Sequence, residues 1–256
     1  MLYVVSTPFS IVAKAGGSAE APENTRAAVT AAMSAPLPEW ARLVIELDVR
    51  VSRDGAPVVI HDAEVENTTD GRGRVDELDA EELAALRVRA NGEPLLFLDA
   101  MLELSAPHEL VIEAHDADPS RAAPLVRALG RHGQAAQERV IVASEHVRFV
   151  HAVRRLEPRL RTAATARAAW AKLLLERVRL ERFAPRGHLW IVPVEHRGLA
   201  VVTPRFARSA VRAGDPVWAY TVDDANEVAR LRSLGVNGCF TTRPAALGAA
   251  LTSREP

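Results

Sequence analysis

Short apolar runs rich in branched residues alternate along the chain with longer segments whose apolar residues recur every three or four positions. The first kind reads as strands buried on both faces, the second as amphipathic helices. Ile11 to Lys14 is a first strand, stopped by Gly16-Gly17, and Pro22 to Ser34 is a helix with proline in its first turn. Leu43 to Val49 is the second strand. The chain then turns at Arg53-Asp54-Gly55 and returns as Pro57 to Ile60, a hairpin that ends at His61. Residues 63–108 form a longer connection with a polar turn at Asn67–Gly73, a capped helix over Asp79–Arg87 and another over Phe97–Leu104. Further strands are predicted at Leu110–Glu113, Arg139–Ala143, Leu160–Ala164, His188–Val194, Pro216–Val222 and Gly238–Thr241. Helices over Ser120–His132, Glu145–Leu156, Arg167–Leu180, Pro204–Ala213, Asp224–Leu234 and Arg243–Leu251 follow them in turn. Eight strands each followed by a helix predict an α/β fold, a closed parallel TIM (β/α)8 barrel with a short β-hairpin extension after strand two.

A length of 256 residues suits one such barrel, which typically takes about 250. No stretch rich in Gly, Pro or Ser divides the chain, so residues 1–256 are expected to form a single domain. A net charge of −1 argues against broad nucleic-acid binding, which needs a basic field. No run approaches the length of a membrane span. The apolar N-terminus lacks a basic leader and is interrupted by Pro8, so it is expected to lead into the first strand, which makes the cytoplasm the expected compartment. A lone cysteine, Cys239, excludes an internal disulfide framework and is read as an inert core residue. Basic charge is almost all arginine, with Lys14 and Lys172 the only lysines; with the abundant alanine this suggests a coding bias, and gives the arginines little functional weight.

The second strand changes the picture. Its apolar run takes Glu46 and Asp48 at alternate positions, so both carboxylates leave on one side while Ile45, Leu47 and Val49 leave on the other. A soluble strand does not normally aim two acids at a buried side without a cation to receive them. Glu113 ends the third strand, beside the second in a barrel, and shares its parity with His115. Glu46, Asp48, Glu113 and Lys14 all fall at C-terminal strand ends, where such barrels carry their chemistry. Clustered carboxylates repel unless protonated or bridged, and an all-oxygen set suits one divalent cation, Mg²⁺ or Ca²⁺. The alternative is that these acids pair with arginines at the barrel rim. Trp218 and Tyr220 share parity on strand seven, either as an apolar wall at the mouth or as core packing.

The chain resembles the glycerophosphodiester phosphodiesterase family across almost its full length. The resemblance rests on APENT at Ala21–Thr25, E-x-D at Glu46 and Asp48, and SRDG with VVIHD within Ser52–Asp62. It continues through NTTDGRG at Asn67–Gly73, VIE at Val111–Glu113, WAYTVDD at Trp218–Asp224 and GVNGCFTTRP at Gly235–Pro244. The resemblance implies a metal-dependent phosphoric diester hydrolase that cleaves a glycerophosphodiester to glycerol phosphate and an alcohol. It also implies that Glu46, Asp48 and Glu113 hold the divalent cation and that His61 handles a proton on the bridging oxygens. The alternative for His61 is a rim histidine held by Asp62.

Departures from the family pattern cluster at the same end of the barrel. Where the family has His-Arg-Gly after strand one, this chain has Lys14-Ala15-Gly16; where it has a lysine two residues after the third acid, this chain has His115; and its closing turn has Thr242 in place of aspartate. His196-Arg197-Gly198 repeats the missing tripeptide, but after strand six, and is set aside as a decoy. Lys14 could serve as a base beside the cation, or remain charged and grip phosphate in place of the missing arginine. Two outcomes follow for a small-molecule phosphodiester: hydrolysis of reduced or altered kind, or binding of a phosphate-bearing ligand without efficient turnover. A barrel kept only for protein contacts is the third.

Overall fold

The computed structural model describes residues 8–178, 183 and 189–254. The N-terminal lead-in 1–7, the end of the predicted helix at Arg179 and Leu180, and His188 lie outside the described residues. The elements run in chain order as β1 (Phe9–Ala13), α1 (Arg26–Met33), β2 (Ala41–Val51), β3 (Pro57–Val59), α2 (Ala80–Ala84), α3 (Leu98–Leu104) and β4 (Glu109–Ala114). They continue as α4 (Ala122–Arg131), α5 (Gly133–Glu138), β5 (Val140–Ala143), α6 (Val147–Leu156), β6 (Arg161–Thr162), α7 (Ala166–Arg177) and β7 (Trp190–Pro193). Last come β8 (Glu195–His196), β9 (Leu199–Ala200), α8 (Pro204–Ala213), β10 (Val217–Tyr220), α9 (Ala225–Ser233), β11 (Gly238–Thr241) and α10 (Pro244–Thr252).

Eight parallel strands curl in the order β6-β5-β4-β2-β1-β11-β10-β7, and β3 pairs antiparallel with β2 as the predicted hairpin extension. The ring meets between β6 and β7 at one bridge among the described residues, Ala163 to Leu189, where the Ala164 N–H donates to the Leu189 carbonyl (2.8 Å). Alternation along each strand divides the core. Ile45, Leu47 and Val49 point outward and pack with Met101, Leu125 and Phe149 from the helices, whereas Val12, Val44, Val111, Ile141, Trp218 and Phe240 fill the barrel interior. The fully buried Leu47 illustrates the outer layer's weight: truncation to alanine costs about 2–5 kcal/mol at such sites. No helix among the described residues is long and apolar enough to cross a membrane.

Helix starts follow their caps. Thr25 Oγ1 accepts from the Ala28 N–H (3.2 Å), so α1 begins at Arg26 and not at Pro22; Asn24 at φ 60° cannot lie inside a right-handed helix. The first strand likewise stops at Ala13, one residue before Lys14, because Ala15, Gly16 and Gly17 all take positive φ. Thr203, ahead of Pro204, caps α8 through the Phe206 N–H (3.1 Å), and Asp224 caps α9 through the Glu227 N–H (3.0 Å). The long connection after the hairpin has a small core of its own, Ile60, Val65, Val75, Leu83 and Leu95 around Val58.

Candidate active site

The C-terminal end of the ring gathers the predicted acids. On β2, Glu46 and Asp48 follow Val44 on the inner face, and β4 pairs in parallel with Asp48 directly beside Glu113. Carboxylate oxygens of Glu46, Asp48 and Glu113 lie within 4.8 Å of one another. Glu46 is fully buried and Asp48 nearly so. Salt bridges with rim arginines do not explain this burial: Glu46 Oε2 accepts from the Ala15 N–H (2.6 Å), Asp48 Oδ2 from Asn24 Nδ2 (2.8 Å), and Asp48 Oδ1 faces His115 Nε2 (2.7 Å). Glu46 Oε1 is buried with no hydrogen-bond partner among the described residues. Burying a charged oxygen unpaired carries its full desolvation cost, and a divalent ion among the acids would remove it. The donor set is hard oxygen throughout and fits Mg²⁺ or Ca²⁺.

Electrostatics agree with the geometry. Burial, then the charges of Asp48 and Glu113, push the Glu46 carboxyl well above its usual range, against the Ala15 N–H and Lys14. Glu113 is raised too, by burial and by Asp48 over the opposing His115, Lys14 and His61. Asp48 goes the other way: burial would raise it, but the bonds from His115 and Asn24 outweigh burial and hold it below the ordinary value.

Turns deliver the remaining groups. Lys14-Ala15-Gly16 forms a 3₁₀ turn at the end of β1. A Cβ on Gly16 would stand 3.0 Å from the Ala28 Cβ, and its φ of 77° also favours glycine. Lys14 sits close enough to Glu46, Glu113 and Glu23 for its charge to offset part of the rise that burial gives all three carboxyls. Ala15, at the position of the family's arginine, is 2% exposed.

His61, half-exposed just past β3, is bonded through Nδ1 to Asp62 Oδ1 (2.8 Å), and Asp62 Oδ2 accepts from Asn67 Nδ2 (2.8 Å). Burial alone would lower the imidazole's pKa, but Asp62, Asp48 and Glu23 together raise it. His61 and His115 meet edge-on with centroids 4.6 Å apart.

Tyr220 and Trp218 share the inner face as predicted but part company in depth. Tyr220 is 39% exposed at the mouth, while Trp218 is 3% exposed among the interior residues and lines a cavity of about 1110 Å³ at the opposite end of the barrel. Trp218 therefore packs the barrel interior. His196-Arg197-Gly198 makes the β8–β9 turn, and His196 stacks edge-on against Trp170 (5.3 Å). At the turn after β11, the carboxylate expected at residue 242 comes from Asp223, which accepts from Thr241 Oγ1 (2.6 Å), the Thr242 N–H (2.9 Å) and Thr242 Oγ1 (2.8 Å).

Sequence reasoning missed two residues that hold the site together. Asn24 accepts from the Asp48 N–H (3.0 Å) as well as donating to its carboxylate, and its own N–H donates to the Ala15 carbonyl (2.9 Å). Its place within APENT and asparagine's tolerance of positive φ were the available signals. Arg50, which shares parity with Glu46 and Asp48, donates to the carbonyls of both His61 (2.7 Å) and His115 (3.2 Å). The low weight given to arginines hid it.

A model of the Glycerophosphoryl diester phosphodiesterase family matches residues 15–246. The Glycerophosphodiester phosphodiesterase of Caldanaerobacter subterraneus subsp. tengcongensis is 26% identical over 248 residues, covering 93% of this chain and 95% of the relative. Among solved structures, a glycerophosphodiester phosphodiesterase from Agrobacterium tumefaciens superposes with a TM-score of 0.72 at 27% identity, covering 94% of this chain and 99% of that one. The Glycerophosphoryl Diester Phosphodiesterase Domain of a Mycobacterium tuberculosis protein shares the fold with a TM-score of 0.81 at 20% identity, over 97% and 99% of the two chains. With its motifs, its barrel and a match across nearly its whole length in agreement, the chain belongs to the glycerophosphoryl diester phosphodiesterase family.

Proposed function

We propose that the chain, acting as a single barrel domain, is a divalent-cation-dependent hydrolase that cleaves a glycerophosphodiester to glycerol phosphate and an alcohol. The observation that carries this reading is the buried trio Glu46, Asp48 and Glu113, with a Glu46 oxygen left unpartnered among them. Those residues would hold Mg²⁺ or Ca²⁺, which supplies Lewis-acid polarisation of a phosphate oxygen when bound.

The chain's own groups then divide the remaining work. Asp62 fixes the His61 ring through Nδ1, and Nε2 makes no hydrogen bond among the described residues. The raised pKa of this imidazole favours its protonated form, which suits donation to the departing alcohol oxygen. Lys14, whose charge already favours the ionised acids, stands in for the missing arginine as a point-charge grip on phosphate. Tyr220 offers an aromatic edge at the mouth for the glycerol or the alcohol. His115 keeps Asp48 oriented.

The test is release of glycerol phosphate from several glycerophosphodiesters with and without Mg²⁺ or Ca²⁺. Cation-dependent release that is lost in Glu46→Ala and in His61→Ala is the expected result. A specific observation also favours a second reading, binding without efficient turnover: Ala15, buried and at φ 48°, leaves the arginine's place empty of charge. Stoichiometric cation binding with no hydrolysis of any substrate would select it.

A further inference from the structure

The mouth holds a second constellation that the oxygen trio does not account for. Asp48, His61 and His115 bring a carboxylate oxygen and two ring nitrogens within 4.8 Å of one another. Arg50 pins the backbone of both histidines at once through their carbonyls. Asp62 holds His61 Nδ1 and is itself held by Asn67, the outer arrangement that orients a ligating imidazole and leaves Nε2 for a metal. His115 Nε2 already lies 2.7 Å from Asp48 Oδ1, so an ion bound there would replace the hydrogen they share. Two imidazoles and a carboxylate suit a borderline divalent ion, whereas the neighbouring all-oxygen trio suits a hard one. A lysine at position 115 could not contribute, because an ammonium group has no lone pair to give.

We propose that Asp48, His61 and His115 form a second cation site for a borderline divalent ion such as Zn²⁺, sharing Asp48 with the oxygen trio, and that filling it halts turnover by occupying the free nitrogen of His61. The effect on turnover rests on the hydrolase reading above; the binding does not.

Zn²⁺ affinity is measured on the metal-stripped full chain by competition with a chromophoric chelator, at saturating Mg²⁺. Co²⁺ absorption bands report the ligands. One Zn²⁺ is expected to bind, with a nitrogen-ligated Co²⁺ spectrum. His115→Lys should weaken Zn²⁺ by more than about 100-fold, beyond the roughly 10–100-fold expected for Asp62→Asn, which removes only an outer partner. Glu113→Gln, which alters the oxygen trio alone, should retain Zn²⁺. His115→Gln repeats the test if circular dichroism shows that the lysine variant is unfolded. Zn²⁺ affinity unchanged in the folded His115 variant overturns the proposal. In the active protein, Zn²⁺ should inhibit Mg²⁺-supported hydrolysis, and any hydrolysis left in the His115 variant should resist it. If Zn²⁺ binding tracks His115 but no substrate is hydrolysed under any condition, the site stands and the hydrolase reading falls; if hydrolysis is present and Zn²⁺ binding ignores His115, the reverse holds.

Discussion

A carboxylate with one oxygen on a backbone N–H and the other on nothing, as at Glu46, is a source of instability until a cation arrives. Glu46→Gln keeps an oxygen for the Ala15 N–H and turns the other end into a donor toward Asp48 and Glu113. The ion-free variant should therefore melt above the ion-free wild type at neutral pH, by roughly 2–4 °C for each kcal/mol of repulsion relieved. Mg²⁺ or Ca²⁺ should raise the Tm of the wild type, and this rise should be absent in the variant. Because the folded wild type binds a proton at Glu46 more readily than the unfolded chain, the gap between the two proteins should narrow as pH falls from neutrality toward the usual carboxylate range, and reopen as pH rises. Calorimetry across that range checks the sign. Lys14→His restores the family's residue at a position the structure places beside Glu46 and Glu113. If proton transfer is what the lysine lacks, kcat/KM should rise by about 10²-fold or more, the low end for a positioned acid–base group. An unchanged rate would show that the lysine already serves. Ala15→Arg is a poorer restoration, because Ala15 is buried and at positive φ, which a long side chain tolerates badly.

Between elements, Asn24 links the turn after β1 to the middle of β2. Replacing it with glycine preserves the positive φ and deletes both side-chain bonds to Asp48, which should cost about 1–3 kcal/mol in denaturant titrations and weaken cation binding. Alanine should cost about 1 kcal/mol more, for the strained backbone alone. Legibility in the sequence follows the same divide between local and distant bonds. Strand parity placed Glu46 and Asp48 correctly, because alternation is a property of two neighbouring residues. The Arg53-Asp54-Gly55 turn placed the hairpin for the same reason. A start at Pro22 is too early for helix α1, since Asn24, bonded to Asp48 at a distance of 24 residues, sits at positive φ and the cap falls at Thr25. Trp218 could be assigned a face but not a depth, because depth depends on how far β10 rises beside its neighbours. Helix α5 and the β8–β9 hairpin, both short, carry too few periodic positions to announce themselves.

Across the whole molecule, bonding around the ring is uneven. β2 pairs with β4 over six positions and β1 with β2 over five, whereas β6 and β7 meet, among the described residues, at the Ala163–Leu189 bridge. Amide hydrogen exchange should therefore be faster at the Ala164 N–H, beside the β6–β7 junction, than at Glu46 and Ile112; equal protection at these positions would contradict this. The arc that carries the acids and imidazoles is the firmly paired one, and the opposite arc adds Tyr220 to the mouth. Such a division frees substrate range from chemistry. On the proposed reading, changes near Tyr220 should retune which alcohol is accepted while the strands carrying the acids stay as they are, so a lineage built on this frame could shift its diet without rebuilding its catalyst.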